Sequence, residues 1–237
     1  MLFSFYEHAH FVEPAIEMRI TAEAKTATRQ RILTVAAQLF QKQGWESATT
    51  RDIATGAGIA NGTLFNYFPS KEAIAAALIE DALAGSYKEF SRRRTGQESL
   101  EEDLFSLVWT GLKGLRKSRK FLAPAVEAIF SPLAQPSRAE AGASVRIRHL
   151  ETVEQIMVDH GISRPLPAVV QQLYWTLHLG VFAYWAADDS PNQEDTLALL
   201  DRSLKLFAGS FRNHNPADGE RVEPTAEGEL NHERKSE

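Results

Sequence analysis

Residues 49–74, TTRDIATGAGIANGTLFNYFPSKEAI, are broken by glycine and proline at intervals that leave room only for very short helices. Ile53, Ala54 and Ala57 have helical spacing. Thr49 or Thr50 can cap the turn before them, because a threonine hydroxyl accepts from the free N–H groups of a first helical turn. Gly58 ends this segment; a second runs from about Asn61 to Phe68, where Pro69 stops it, and Ser70 caps a longer helix through Lys71, Glu72, Ala73 and Ile74. Upstream, Ile32, Leu33, Val35, Ala36, Leu39 and Phe40 recur on one face of a helix that Gly44 can terminate. Helix, short helix, glycine turn, short helix is the spacing of a helix-turn-helix.

Charge separates this stretch from the rest of the chain. Residues 19–71 hold seven Lys/Arg and three Asp/Glu, a balance of +4, inside a protein whose formal net charge is -5. A basic segment that also carries a helix-turn-helix spacing is the footprint expected of a nucleic-acid-binding module. Two competing readings of the same residues are weaker. TGAGIANG, residues 55–62, resembles a dinucleotide-binding loop only faintly, because Asn61 stands where a third glycine is required and the preceding TTRDIA has helical rather than strand spacing. Leu64 and Phe68 are four residues apart on one face and read as core, whereas Tyr67 falls on another side, where a phenol can donate to a phosphate oxygen.

These residues resemble the DNA-binding domain of the TetR/AcrR family of bacterial transcriptional regulators. Thr50, Ile53, Ala54, Ala57, Gly58, Ile59, Gly62, Thr63, Leu64, Tyr67, Phe68, Lys71 and Glu72 all fall at that family's intervals. The resemblance implies DNA contacts from Thr50, Arg51, Ala60, Asn61, Gly62, Thr63, Phe65, Asn66, Tyr67 and Lys71. Two positions depart from the family pattern: Ala60 stands where a serine usually caps the reading helix, and Phe65 where a tyrosine often touches the DNA backbone. The chemistry of the matched positions is consistent with the role. Gly58 allows a tight turn, and Gly62 leaves no side chain where the groove wall comes close. Asn61, Thr63 and Asn66 can meet base edges, while Thr50, Tyr67 and Lys71 can hold phosphates. Arg19, Lys25, Arg29 and Arg31 form a sparse basic leader that could reach along the DNA or remain solvated.

Beyond residue 80 the pattern stays helical, with breaks near Thr95-Gly96-Gln97, Ser118, Ser131-Pro132, Gly161 to Pro167 and Ser190-Pro191-Asn192. The expected fold is all-α, about nine helices in all: a three-helix helix-turn-helix domain and a larger helical domain. The expected divisions are an N-terminal extension (1–25), the DNA-binding domain (26–72), a ligand-binding and dimerisation domain (73–212) and an acidic disordered tail (213–237) with seven acids against three bases. Met18 is an alternative translation start. In the last helix, Leu197, Leu200, Leu204 and Phe207 make one apolar line while Leu199 and Leu206 make another, so it needs two partners. The helix before it contributes Leu173, Leu177, Val181 and Tyr184 to the same expected homodimer interface, the place where the resembled family forms a four-helix bundle. A two-fold dimer reads an approximately palindromic double-stranded operator.

Phe105, Trp109, Phe130, Met157, Trp175 and His178 are the candidates for lining an effector pocket, although each residue type is more often plain core. The resemblance implies a repressor released by a small molecule that shifts the helix of residues 70–93. With no cysteine and no metal-ligand spacing around His149, His160 or His178, no metal or other cofactor is expected. No nucleophile elbow, HExxH or phosphate loop suggests an enzyme. No apolar run reaches the roughly 20 residues of a membrane span, and the N-terminus is a poor signal peptide, so the expected location is the cytoplasm. A helical ligand-binding or adaptor protein without specific DNA binding is the alternative; it leaves the set from Thr50 to Lys71 unexplained.

Overall fold

The computed structural model describes residues 13–131 and 134–212, and within them all regular structure is helical. There are ten α-helices where about nine were expected, together with two single 3-10 turns. The first, α1 (Glu13–Gln43), carries Pro14 in its first turn, where the missing N–H costs nothing, and meets no further proline or glycine until Gly44. It therefore begins well ahead of residue 26, and the leader containing Lys25, Arg29 and Arg31 is helix rather than a loose arm. Gly44, at φ 83, takes the left-handed conformation that ends α1.

The short helices α2 (Thr50–Gly56) and α3 (Asn61–Phe65) follow. Thr49 caps α2 through a reciprocal pair of bonds with Asp52, whose carboxylate is held below its usual pKa by that same threonine. Between them Gly58, at φ 66, makes the turn. Helix α3 stops at Phe65, three residues before the expected end, because Pro69 excludes Phe68 from the helical region and Tyr67 and Phe68 both donate to the Leu64 carbonyl in a closing turn. Ser70 then caps α4 (Lys71–Arg93) by accepting from Ala73 N–H at 3.1 Å. Ile32, Leu33, Ala36 and Phe40 of α1 close over Ile53, Leu64, Phe68 and Ile74 to form the core of this N-terminal unit, all at or below 4% exposure.

The second unit is built on α4, which packs along α5 (Leu100–Leu115). Around this pair lie α6 (Arg119–Phe130), α7 (Pro136–Ala141), α8 (Ala143–Asp159), α9 (Ala168–Ala187) and α10 (Glu194–Arg212). Two polar clusters hold its loops. Asp103, buried on α5, accepts from Arg94 Nε and Nη2 at 2.9 and 2.7 Å and lies 2.8 Å from His160 Nε2, while Arg94 Nη1 reaches Asp159; one guanidinium thus ties the end of α4 to α5 and α8. Asp188 accepts from Ser190 N–H and from both the N–H and hydroxyl of Thr196, pinning the α9–α10 turn and holding the carboxylate well below its ordinary pKa. The expected tail, 213–237, and the segment before residue 13 lie outside the described residues.

Candidate nucleic-acid interface and ligand cavity

Leu64 is fully buried and Phe68 nearly so; these two side chains anchor α3 and turn Asn61, Gly62, Thr63, Phe65 and Asn66 outward. Phe65 is 45% exposed, a large aromatic ring left in solvent on the outward face of α3. Ala60 provides no side-chain cap to α3, so the first N–H groups of that helix have no side-chain oxygen from the N-cap. Arg51 is exposed at the start of α2, with Thr50 beside it partly covered. Tyr67 is partly buried against the core.

Three of the basic side chains counted in the sequence are used by the fold. Lys71 Nζ donates to the Trp45 carbonyl at 2.8 Å and lies 4.4 Å from the Trp45 ring centroid, bracing the α1–α2 turn against the start of α4. Arg31 Nε donates to the Ala57 carbonyl at 2.8 Å, at the C-terminal end of α2. Arg29 sits 5.3 Å from the Phe68 ring centroid. A phosphate role for Lys71 would therefore compete with a contact that shapes the module itself.

A cavity of about 50 Å³ lies inside the second unit between α4, α5, α6, α8 and α9. Of the six pocket candidates from the sequence, Phe130, Trp175 and His178 line it, and Phe130 meets Trp175 edge to face with centroids 5.6 Å apart. The other three lie elsewhere: Phe105 borders a separate open groove beside Leu204, Met157 is fully buried core, and Trp109 is half-buried against the core. The cavity wall also contains polar groups that helical periodicity does not single out. Tyr87 Oη lies 3.2 Å from His149 Nδ1, and His149 Nε2 lies 3.0 Å from Tyr174 Oη, so this imidazole is held between two phenols from α4 and α9. His178 stacks on His149 at 4.3 Å, and its buried Nδ1 has no hydrogen-bond partner.

Burial dominates the ionisation of this cluster. It pushes the Tyr87 phenol up to about 12 and Tyr174 higher still, and it lowers His178 to about 4. His149 is lowered well below the ordinary histidine range by burial and by the neighbouring His178. All four side chains are neutral near pH 7, and an unpartnered buried nitrogen such as His178 Nδ1 costs about 1–3 kcal/mol. Their signal in the sequence was the placement of Tyr and His on helix faces otherwise apolar, such as Tyr87 four residues after Leu83. Among the described residues no group of three or more His, Asp or Glu side chains is arranged to hold a metal ion.

The residues expected at a dimer interface divide in three. Val181, Leu200, Leu204 and Phe207 are at most 4% exposed and face the interior of their own chain, where α10 packs on α5 and α9; they cannot be the surface a second copy meets. Leu177 and Leu197 are half-buried. Leu173 and Tyr184 remain 49% and 45% exposed on α9, joined there by Val169, and Leu206 on the second apolar line of α10 is 71% exposed.

A helix-turn-helix with a polar outward face, carried by a larger helical unit that encloses a cavity, defines a two-unit regulator of the helix-turn-helix class. The chain belongs to the tetR family of bacterial regulatory proteins: residues 32–78 match that family, and residues 104–219 match the tetracyclin repressor-like C-terminal domain. The HTH-type transcriptional repressor KstR2 of Rhodococcus jostii is 40% identical over 102 residues, which is 42% of this chain and 48% of that relative. The HTH-type transcriptional regulator UidR of Escherichia coli K12 is 42% identical over 52 residues, 22% of this chain and 26% of that relative. The alignments thus span about half the length of such relatives or less. Among solved structures, the TetR-family transcriptional repressor FadR of Thermus thermophilus, in complex with lauroyl-CoA, superposes with a TM-score of 0.59 at 26% identity, covering 76% of this chain and 93% of that one.

Proposed function

We propose that this protein is a homodimeric, ligand-responsive repressor that binds an approximately palindromic operator through α3 and releases it when a small apolar molecule occupies the cavity between α4, α5, α6, α8 and α9. The observation that carries the reading is the division of α3 into two faces: Leu64 locks it to the core while Asn61, Thr63, Phe65 and Asn66 face solvent. Amide and hydroxyl side chains at those positions have the donor and acceptor pattern that base edges in a major groove require. Phe65, lacking a hydroxyl, is suited to a thymine methyl or a sugar rather than to a phosphate oxygen. The exposed apolar line of Val169, Leu173, Tyr184 and Leu206 supplies the two-fold contact, through residues partly different from those the sequence suggested. The dimer holds its two reading helices about 34–36 Å apart when it binds.

The effector reading rests on α4, which caps the DNA-binding unit at Ser70 and lines the cavity with Ile79, Leu83 and Tyr87. A ligand preferring one position of this helix shifts DNA affinity about 5- to 150-fold, the effect of 1–3 kcal/mol of coupling. The relative from Thermus thermophilus holds lauroyl-CoA, whose lauroyl chain is apolar although its coenzyme A part is charged; only that chain supports an apolar group in the cavity. Among the described residues no helix is long and apolar enough to cross a membrane. A repressor of this kind acts in the cytoplasm, where its operator is, and by binding rather than by catalysis.

The test is a titration on DNA flanking the gene, with nonspecific competitor across a salt series, comparing wild type with Asn61→Ala/Asn66→Ala. These side chains are exposed, so the variant keeps the fold; Lys71→Ala would disturb the α1–α2 turn as well. Selective binding lost in the variant supports the reading. Equal, purely nonspecific retention by both on flanking and genome-selected DNA would favour the adaptor alternative.

A further inference from the structure

We propose that the molecule taken by this cavity is uncharged and largely apolar, that it carries a hydroxyl or carbonyl oxygen on the end that meets His178, and that His178 is the residue that recognises this oxygen. The inference rests on the effector reading above and names the chemistry of its ligand. The cavity wall is mostly aliphatic and aromatic, and none of its lining residues is Lys, Arg, Asp or Glu. A carboxylate or phosphate placed there would be buried with no counter-charge, a cost that cannot be recovered in an apolar site. Nor is the wall built for a plain hydrocarbon end, because it contains Ser86, Tyr87, His149 and His178.

Three of those polar groups already have partners. The Ser86 hydroxyl faces the Ala82 carbonyl at 3.4 Å, Tyr87 lies on His149, and the second nitrogen of His149 is taken by Tyr174. His178 differs. Its ring is held in place by stacking on His149 at 4.3 Å and by Trp175 at 5.5 Å, yet its buried Nδ1 meets no partner. A neutral imidazole nitrogen can donate or accept according to tautomer, so one ligand oxygen, either hydroxyl or carbonyl, satisfies it. The space is small: at about 10–15 Å³ for each water-sized centre, 50 Å³ admits the end of a ring or chain, and a longer molecule must part the Phe130–Trp175 edge contact. A bound hydrocarbon would leave Nδ1 as it stands, whereas an oxygen-bearing end removes the deficit. Buried sites built to bond a polar group discriminate strongly against analogues that lack it.

The experiment uses three matched probes, naphthalene, 2-naphthol and 2-naphthoate, titrated into the full chain by calorimetry, with ¹⁵N NMR of the histidine rings as a second readout. The expected result is that 2-naphthol binds about ten-fold tighter than naphthalene, which corresponds to about 1.4 kcal/mol, that 2-naphthoate binds weakest, and that 2-naphthol moves the His178 ring nitrogens. His178→Phe should abolish the naphthol preference while still binding naphthalene, and His178→Gln should retain part of it. If naphthalene and 2-naphthol bind wild type equally, or the preference survives in His178→Phe, the role given to His178 falls and the effector cavity stands. If 2-naphthoate binds tightest, the neutral-ligand class is wrong. If no probe binds the folded protein, the cavity is not a ligand site, and the effector reading falls with the proposal. Release from DNA, scored separately with each bound probe, bears only on regulation.

Discussion

Replacing Gly142 by alanine adds one methyl group where the packing of α6 against the α7–α8 junction leaves no space. Gly142 joins α7 to α8 at φ -94 and ψ -1, a conformation open to any L-residue, so the backbone offers no objection. On backbone grounds alone the substitution should stabilise by about 0.4–1 kcal/mol, because it restricts the unfolded chain. The added Cβ, however, would fall well inside van der Waals contact of Ile129 Cγ2 and Phe130 Cε1, and 2.9 Å from Phe130 Cδ1. Buried Ile129 and half-buried Phe130, on the same helix, cannot both step aside cheaply, and overpacking of this kind costs about 1–3 kcal/mol. The steric term wins, leaving Gly142→Ala roughly 1–2 kcal/mol less stable. At about 2–4 °C for each kcal/mol in a chain of this size, the thermal midpoint should fall by about 2–8 °C. Gly85 on α4 is the control: nothing lies within 4 Å of its Cβ, and Gly85→Ala in this helix interior should raise the midpoint by about 2–4 °C, from about 1 kcal/mol of helix propensity. Thermal unfolding followed by circular dichroism at 222 nm measures both, and the Gly142→Ala loss should shrink in a Phe130→Ala background. A Gly142→Ala midpoint at or above that of wild type would refute the packing argument.

Removing the buried carboxylate in Asp103→Ala leaves Arg94 with Asp159 alone and should cost about 1–3 kcal/mol, read as a lower urea midpoint. Burial lowers the pKa of His149 and His178 in the folded state, so the unfolded chain binds more protons between the ordinary histidine value and about 4. Their contribution is therefore complete above pH about 6.5 and is lost as pH falls toward 4. The unfolding free energy from urea titrations across that window should decline by on the order of 2–3 kcal/mol for His178, and His178→Phe should flatten the decline. Leu173→Glu/Leu206→Glu should shift the protein from dimer to monomer by light scattering with its helical signal intact, whereas Leu204→Ala, buried within one chain, should instead lose about 2–5 kcal/mol of stability.

The helix-turn-helix was legible in the sequence because its determinants are local. Thr49 and Ser70 cap the helices they precede, Gly44 and Gly58 take the left-handed conformations that their neighbours could not, and Leu64 and Phe68 share a face by spacing alone. The end of α3 was placed too late because the influence of Pro69 reaches back through the closing turn on Leu64. Spacing also found two apolar lines on α10, but it could not say which one faces inward; that depends on how α10 is rotated against α5, and Leu200, Leu204 and Phe207 took the core while Leu206 was left outside. The same limit applies to the basic residues: only the folded chain shows Arg31 and Lys71 turned onto backbone carbonyls. The cavity lies furthest from sequence reasoning. Tyr87, Phe130, His149 and His178 come from four helices and meet only because those helices cross at particular angles and rotations, which side-chain packing across the whole unit decides and no local pattern encodes.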